Sequence, residues 1–269
     1  MKNRIQEKYW VVTLNSLIYF LLAYYSVILL TNAFSLLLAK IYGFNGTLYH
    51  FGVILDIKQW QWSNNFVFLM YFLGNAFTLI LGFIARKKYR KLRRKSYHYK
   101  LYFFWAYIIS FTYFFGNLLV GVVFYFGFGA VLESYSVPLI IKIVFGIISV
   151  FVLIMIGRNS SWDAIVSLNS YFQEISKSDI FNYLTIQILY PALIGNVIIF
   201  LLKIPHHSEF SYYDTYILLC MFIVIFSIYS AANDNLPIRL RKTENRYNFQ
   251  IEPLILVVIF IAFIRIVFV

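Results

Sequence analysis

The sequence predicts an all-α membrane protein: a bundle of about seven transmembrane helices with a short extracytoplasmic hairpin and an interfacial helix. Three observations carry this reading: an excess of apolar residues, their grouping into runs of membrane-spanning length, and a one-sided distribution of positive charge. Of 269 residues, 61% are hydrophobic and 13% charged, whereas soluble domains average about 45–50% and about 25%. A soluble fold could not hide that much apolar surface, but helices whose outer faces meet lipid need not.

Each crossing takes about 20 residues, because about 30 Å of hydrocarbon is traversed at about 1.5 Å per residue. Runs of that kind cover Trp10–Leu38, Asn65–Ile84, Leu101–Phe128, Val137–Ile156, Phe181–Leu202, Tyr213–Ala232 and Leu254–Val269. They form one polytopic domain over residues 1–269. The first and third are long enough to tilt, kink or project, and the last is the shortest. The run after Met1-Lys2-Asn3-Arg4 is too long for a signal-peptide core of about 7–15 residues, so it reads as a retained anchor.

Charge tests the count independently. Segments 1–9, 85–100, 157–180 and 233–253 hold 18 Lys and Arg, while the opposite segments 39–64, 129–136 and 203–212 hold 3: Lys40, Lys58 and Lys203. The positive-inside rule then places the amino terminus in the cytoplasm and, with an odd number of crossings, the carboxyl terminus outside. Abundant Ile, Phe, Tyr, Asn and Lys suggest an AT-rich bacterial genome, and hence a bacterial cytoplasmic (inner) membrane. In this setting a net charge of +12 speaks for anionic headgroups and orientation rather than for nucleic acid. The densest basic run is Arg86, Lys87, Lys88, Arg90, Lys91, Arg93, Arg94 and Lys95. It reads as a topology determinant that adheres to anionic lipid at about 1 kcal/mol per charge.

Two connecting segments carry patterns of their own. Residues 45–62 start at the turn dipeptide Asn45-Gly46, alternate through Leu48, Tyr49, Phe51, Val53, Ile54 and Leu55, and end at Trp60-Gln61-Trp62. This predicts a hairpin or membrane-edge strand with interfacial tryptophans. In residues 161–176, Trp162, Ile165, Leu168, Phe172 and Ile175 share helical spacing behind Ser161, a candidate cap. A helix lying in the interface is predicted, and burial against the bundle would give the same stripe.

Motifs for chemistry are sparse. None of His50, His98, His206 and His207 belongs to an HExxH motif. His206-His207 with Glu209 and Asp214 is the most metal-like group, but it lies on a segment expected to be an exposed loop. No phosphate cradle or nucleophile elbow is present, and Cys220 stands in an apolar run without a nearby His or acid. A retinal Schiff base would need a lysine in Leu254–Val269, which has none. No cofactor is expected. Lys142 and Arg265 lie near span ends and can snorkel. The polar residues at depth are neutral: Asn15, Ser16, Thr31, Asn32, Asn75, Asn117, Gln187 and Asn196. They suit interhelical hydrogen bonds. Pro191 should kink the fifth span and free carbonyls near Asn196. Ordinary packing is the expectation for these residues; the alternative is a polar intramembrane cavity between Asn75, Asn117, Asn196 and Pro191. No Asp or Glu is expected deep in a span, which argues against proton or ion coupling.

The stretch Thr31-Asn32-Ala33-Phe34-Ser35-Leu36-Leu37-Leu38-Ala39-Lys40-Ile41-Tyr42-Gly43-Phe44 resembles the metal-binding helix of the site-2 protease family of intramembrane zinc metalloproteases. Residues 45–62 would match the strand-like segment after it, and Phe72-Leu73-Gly74-Asn75 the glycine-containing next span. Thr31, Asn32 and Ser35 stand where that family has His, Glu and His. The resemblance therefore implies a degenerate, non-proteolytic relative and no zinc ligand.

Together these features lead to the expectation of a non-catalytic scaffold, accessory subunit or sensor that works with a membrane-protein partner. A carrier or flippase for a lipid or small apolar solute is the alternative from another class. A degenerate membrane-embedded enzyme is the third.

Overall fold

The computed structural model describes the chain apart from residues 1, 50, 51, 59, 60, 94, 96, 173, 176–178, 204–208, 233–237, 240–248, 268 and 269. Among the described residues, 6 helices are long and apolar enough to cross a membrane: Tyr9–Ile41, Asn64–Leu92, Lys100–Phe124, Leu139–Ser170, Ile180–Leu202 and Tyr212–Ala232. These match the first six predicted runs. The seventh appears as a shorter apolar helix, Ile251–Phe263, within α11 (Ile251–Val267).

Helix α1 (Lys2–Ile41) is 40 residues without a Gly or Pro, about 60 Å long at about 1.5 Å per residue. It ends at Gly43, whose φ of 80° turns the chain into the hairpin. Strands β1 (Gly46–Tyr49) and β2 (Gly52–Leu55) pair antiparallel, with Tyr49 opposite Gly52. The predicted hairpin is therefore present, with Asn45-Gly46 leading into its first strand.

Ser63 caps the next rod by accepting the Phe66 N–H at 3.2 Å. That rod comprises α2 (Asn64–Phe68), a π-turn (Leu69–Leu73) and α3 (Gly74–Leu92). Helix α4 (Lys100–Phe124) is the centre of the bundle. It is apolar on all sides, the pattern of a helix surrounded by protein, and it touches α1, α3, α6 (Leu139–Ser167), α9 (Glu209–Leu219) and α10 (Met221–Ala232). The sequence predicts one run to Phe128, but α4 stops at Phe124. Tyr125 adopts φ 57°, its N–H returns to Gly121 O at 2.9 Å, and a short helix, α5 (Phe128–Ser134), follows.

The predicted interfacial helix is not a separate element. Residues 161–167 continue α6, and Leu168–Ser170 close it in a 3-10 turn. Ile165 and Leu168 are fully buried, so their helical spacing records burial against the bundle. Beyond this turn, β3 (Glu174–Ile175) pairs with β4 (Ile238–Arg239).

Pro191 has the anticipated effect on its backbone. The fifth rod comprises α7 (Ile180–Leu184), a π-turn (Thr185–Leu189) and α8 (Tyr190–Leu202). The Tyr190 N–H reaches back to Thr185 O, and Pro191 has no N–H to give. Hydroxyls of α1 approach the neighbouring carbonyls instead: Thr13 Oγ1 lies 3.0 Å from Ile186 O, and Ser16 Oγ donates to Gln187 O at 2.5 Å. Trp105 Nε1 donates to Ser16 Oγ at 3.0 Å, which ties this repair to the central helix. By contrast, the Ser26 hydroxyl donates at 2.6 Å to Leu22 O within its own helix. The double variant Thr13→Val/Ser16→Ala should lose about 1–2 kcal/mol of unfolding free energy in bilayers, while Ser26→Ala should change it by under about 0.5 kcal/mol. Steric-trap unfolding in bicelles measures both.

Candidate functional site

The hairpin covers one end of a cavity of about 350 Å³, within the usual range of about 300–1,000 Å³ for ligand pockets. Helix α1 lends Thr31, Asn32 and Ser35 to its wall, successive turns of one face, and β2 closes it with Gly52–Leu55. Opposite stand Asn75 of α3, Tyr113 and Asn117 of α4, and Tyr213 and Asp214 of α9. Apolar lining comes from Ile28, Trp62, Met70 and Ile217.

Several of these polar groups are committed to the fold. Asn75 Nδ2 donates to Tyr71 O at 2.6 Å, satisfying a carbonyl of the first π-turn, and Thr31 Oγ1 donates to Val27 O at 2.8 Å. Asn117 Oδ1 accepts the Phe128 N–H at 3.0 Å and lies 3.1 Å from Tyr213 Oη. This knot sets the turn between α4 and α5, where two glycines are required. Gly127 has φ 57°, and a Cβ there would strike the Tyr213 hydroxyl. A Cβ on Gly129 would overlap Gly121 O. Asn32 and Ser35, both half-buried, have no hydrogen-bond partner among the described residues.

Asp214 is the carboxylate of the cavity, and it is neutralised from three directions. Tyr24 Oη donates to Oδ2 at 2.8 Å, Tyr113 Oη donates to Oδ1, and Lys203 Nζ forms an ion pair with Oδ2. Asp214 and Lys203 are 8% and 3% exposed, so neither charge is left to solvent. The arrangement satisfies the rule that a buried charge must be paired and hydrogen-bonded.

No protein family, curated protein or solved structure matches the chain.

The structure brings only part of the predicted site together. Asn75 and Asn117 line the cavity, whereas Asn196 and Pro191 do not; Asn196 Nδ2 donates to Ala192 O at 2.8 Å within α8. Asp214 stands near the end of its span and not deep within it, yet it is buried. Its predicted companions His206 and His207 lie outside the described residues, and no group of three metal-ligating side chains forms among those described. Lys203, expected on an exposed loop, is buried as the counter-ion. Sequence reasoning also missed Tyr24, Tyr113 and Tyr213, whose rings merged into the apolar runs. A basic residue ending one span and an acid opening the next was the available signal.

The basic run divides by use. Arg93 pairs with Asp163 at 3.3 Å, and Arg86 stands 6.0 Å from the Tyr107 ring centre. Lys87, Lys88, Arg90, Lys91 and Lys95 are exposed, and Arg94 lies outside the described residues. Lys142 meets Glu133 and lies 5.6 Å from the Tyr125 ring centre, while the side chain of Arg265 lies outside the described residues.

Breaking one partner of a buried pair leaves the other uncompensated. Asp214→Asn should therefore destabilise by about 3–5 kcal/mol, and adding Lys203→Met should restore at least about half of that loss. Equilibrium unfolding of the two singles and the double measures the coupling.

Proposed function

We propose that the chain is a seven-span protein of a bacterial cytoplasmic membrane that binds a small uncharged amphipathic molecule beneath its hairpin. It acts there as a non-catalytic sensor or accessory subunit. Its amino terminus lies in the cytoplasm, and α11 completes the odd count. The 17 residues of α11 reach about 26 Å, enough for a crossing in a slightly thinned bilayer. The 18-to-3 division of basic residues supports the same topology. With this orientation the exposed cations of α3 meet the anionic cytoplasmic leaflet, and the cavity opens in the outer half of the bundle.

The observation that carries the ligand reading is the pairing of uncommitted neutral groups with a neutralised carboxylate. Asn32 and Ser35 offer donors and acceptors, while Asp214 is already satisfied by Tyr24, Tyr113 and Lys203. A charged ligand would lose its hydration and find no uncommitted counter-charge. A neutral one with an apolar body would bury that body against Ile28, Met70 and Ile217.

A second reading has its own observation. Thr31, Asn32 and Ser35, the positions that correspond to the zinc ligands of site-2 proteases in the resemblance, all border this cavity under the hairpin. That supports a relative in which a metal site has become a neutral binding site.

Native mass spectrometry of nanodisc-embedded protein tests the ligand reading. The wild type should carry a bound mass that collisional activation releases. Asn32→Leu/Ser35→Leu, with unchanged helicity and monodispersity, should retain less than about a tenth of it, since two lost hydrogen-bond sites and a filled volume act together. Equal retention would overturn the reading, and stoichiometric zinc would favour the metalloprotease lineage with its chemistry intact.

A further inference from the structure

A second concavity, of about 490 Å³, lies at the opposite end of the bundle, between α1, the start of α4 and the start of α11. Its rim is aromatic and acidic, and its depth is apolar. At the start of α4 the cap residue Tyr99 is followed four residues on by Phe103. On α11 Glu252 is followed four residues deeper by Leu256, and on α1 the buried Tyr19 is followed by Leu22. Residues three or four apart share a helix face, so at the starts of α4 and α11 a polar residue is followed along the groove by an apolar one.

We propose that this groove binds a zwitterionic phospholipid with a primary-amine headgroup, of the phosphoethanolamine type. Its acyl chains would run past Leu22, Phe103 and Leu256. The charge pattern selects this occupant. Among the described lining residues Glu252 is the one carboxylate, and no Lys or Arg is present, in a protein of net charge +12. Lys100, at the start of α4, turns away from the groove: its Nζ donates to Asn169 Oδ1 and to Lys95 O at 3.0 Å. Tyr99, whose ring stacks on Tyr97 at 5.2 Å between centres, adds the negative quadrupole of its outer face, which attracts an ammonium group.

The phosphate of such a headgroup needs a cation beside the amine site, and Lys95 supplies it. Its Nζ stands 5.8 Å from the Tyr97 ring centre, outside the lining proper. Glu252 in the lining and Lys95 beside it thus offer opposite charges to the two formal charges of the headgroup. His98, the other titratable lining group besides the tyrosines, packs its ring 4.9 Å from that of Tyr171. The frame is fixed as well, because the Gln250 N–H donates to Asn15 Oδ1 at 2.9 Å and ties the start of α11 to α1. An acid in the first turn of a helix also favours its dipole, but that role requires neither the tyrosines nor the apolar track beneath them.

Lipid retention tests the assignment. Full-length protein is placed in nanodiscs of equal phosphatidylethanolamine and phosphatidylglycerol, and its retained lipids are counted by native mass spectrometry. Phosphatidylethanolamine should be enriched about fivefold, with the enrichment falling to near unity in Glu252→Gln and in Tyr97→Leu/Tyr99→Leu. Lys87→Gln/Lys88→Gln, away from the groove, should keep it. Preference for phosphatidylglycerol, or undiminished enrichment in Glu252→Gln, would overturn the proposal. Displacement of the lipid by a tenfold excess of soluble phosphoethanolamine would also overturn it, because the ligand would then come from water.

Discussion

Inside a bilayer no water is available to meet a freed N–H or C=O, and the architecture of this protein follows from that constraint. Pro191 shows it most clearly. Its missing N–H is accommodated by a π-turn, and the carbonyls of Ile186 and Gln187 are approached by Thr13 and Ser16 of the first helix. Without those hydroxyls the fifth span would hold unmatched acceptors in hydrocarbon. The first π-turn is repaired in the same manner by Asn75, and the end of α4 by Asn117 and Tyr213. Most polar side chains at membrane depth therefore serve the backbone.

This division of labour makes the remainder informative. Asn32 and Ser35 sit on the cavity wall, next to groups already engaged, and extend no bond of their own to the described protein. Asp214 could not be buried alone, because an isolated carboxylate in an apolar setting is too unfavourable to stay ionised. Three donors from three parts of the chain surround it: Tyr24, Tyr113 and Lys203. The carboxylate thereby joins α1, α4, α9 and the end of α8 at the cavity. The opposite end of the bundle is closed by a different network, in which Tyr89 donates to Asp163 O at 2.5 Å and Arg93 pairs with the Asp163 carboxylate.

Six of the spans were legible because hydropathy is a property of whole segments, insensitive to tertiary detail. Pro191 was legible as a backbone event for the same local reason. The entry to the hairpin was not, since Asn45-Gly46 reads as a turn while the left-handed residue is Gly43. The stripe from Trp162 to Leu168 could not separate lipid from protein as its apolar partner; the bundle buries Ile165 and Leu168, while Trp162 stays exposed. Of the cavity, Asn75 and Asn117 were foreseen and Asn196 was misplaced, because sequence shows that a residue is polar but not which way its helix faces. The pairing of Asp214 with Lys203 was not foreseen because both lie at span ends, where charges ordinarily belong to the surface. Their contact depends on how the end of α8 meets the start of α9, which hydropathy does not show.

The wall formed by Asn32 and Ser35 is most directly examined by thiol labelling in a Cys220→Ala background. Asn32→Cys and Ser35→Cys are exposed, one at a time, to a membrane-impermeant thiol reagent added from the hairpin side of intact membranes. Thr47→Cys on the exposed first strand serves as the reactive reference and Ser16→Cys as the buried one. Modification of both wall positions at rates within about tenfold of Thr47→Cys, with Ser16→Cys unreactive, is the expected result for a polar cavity open on that side. Reaction at Thr47→Cys with neither wall position modified would show the wall to be sealed, and would contradict a ligand site there.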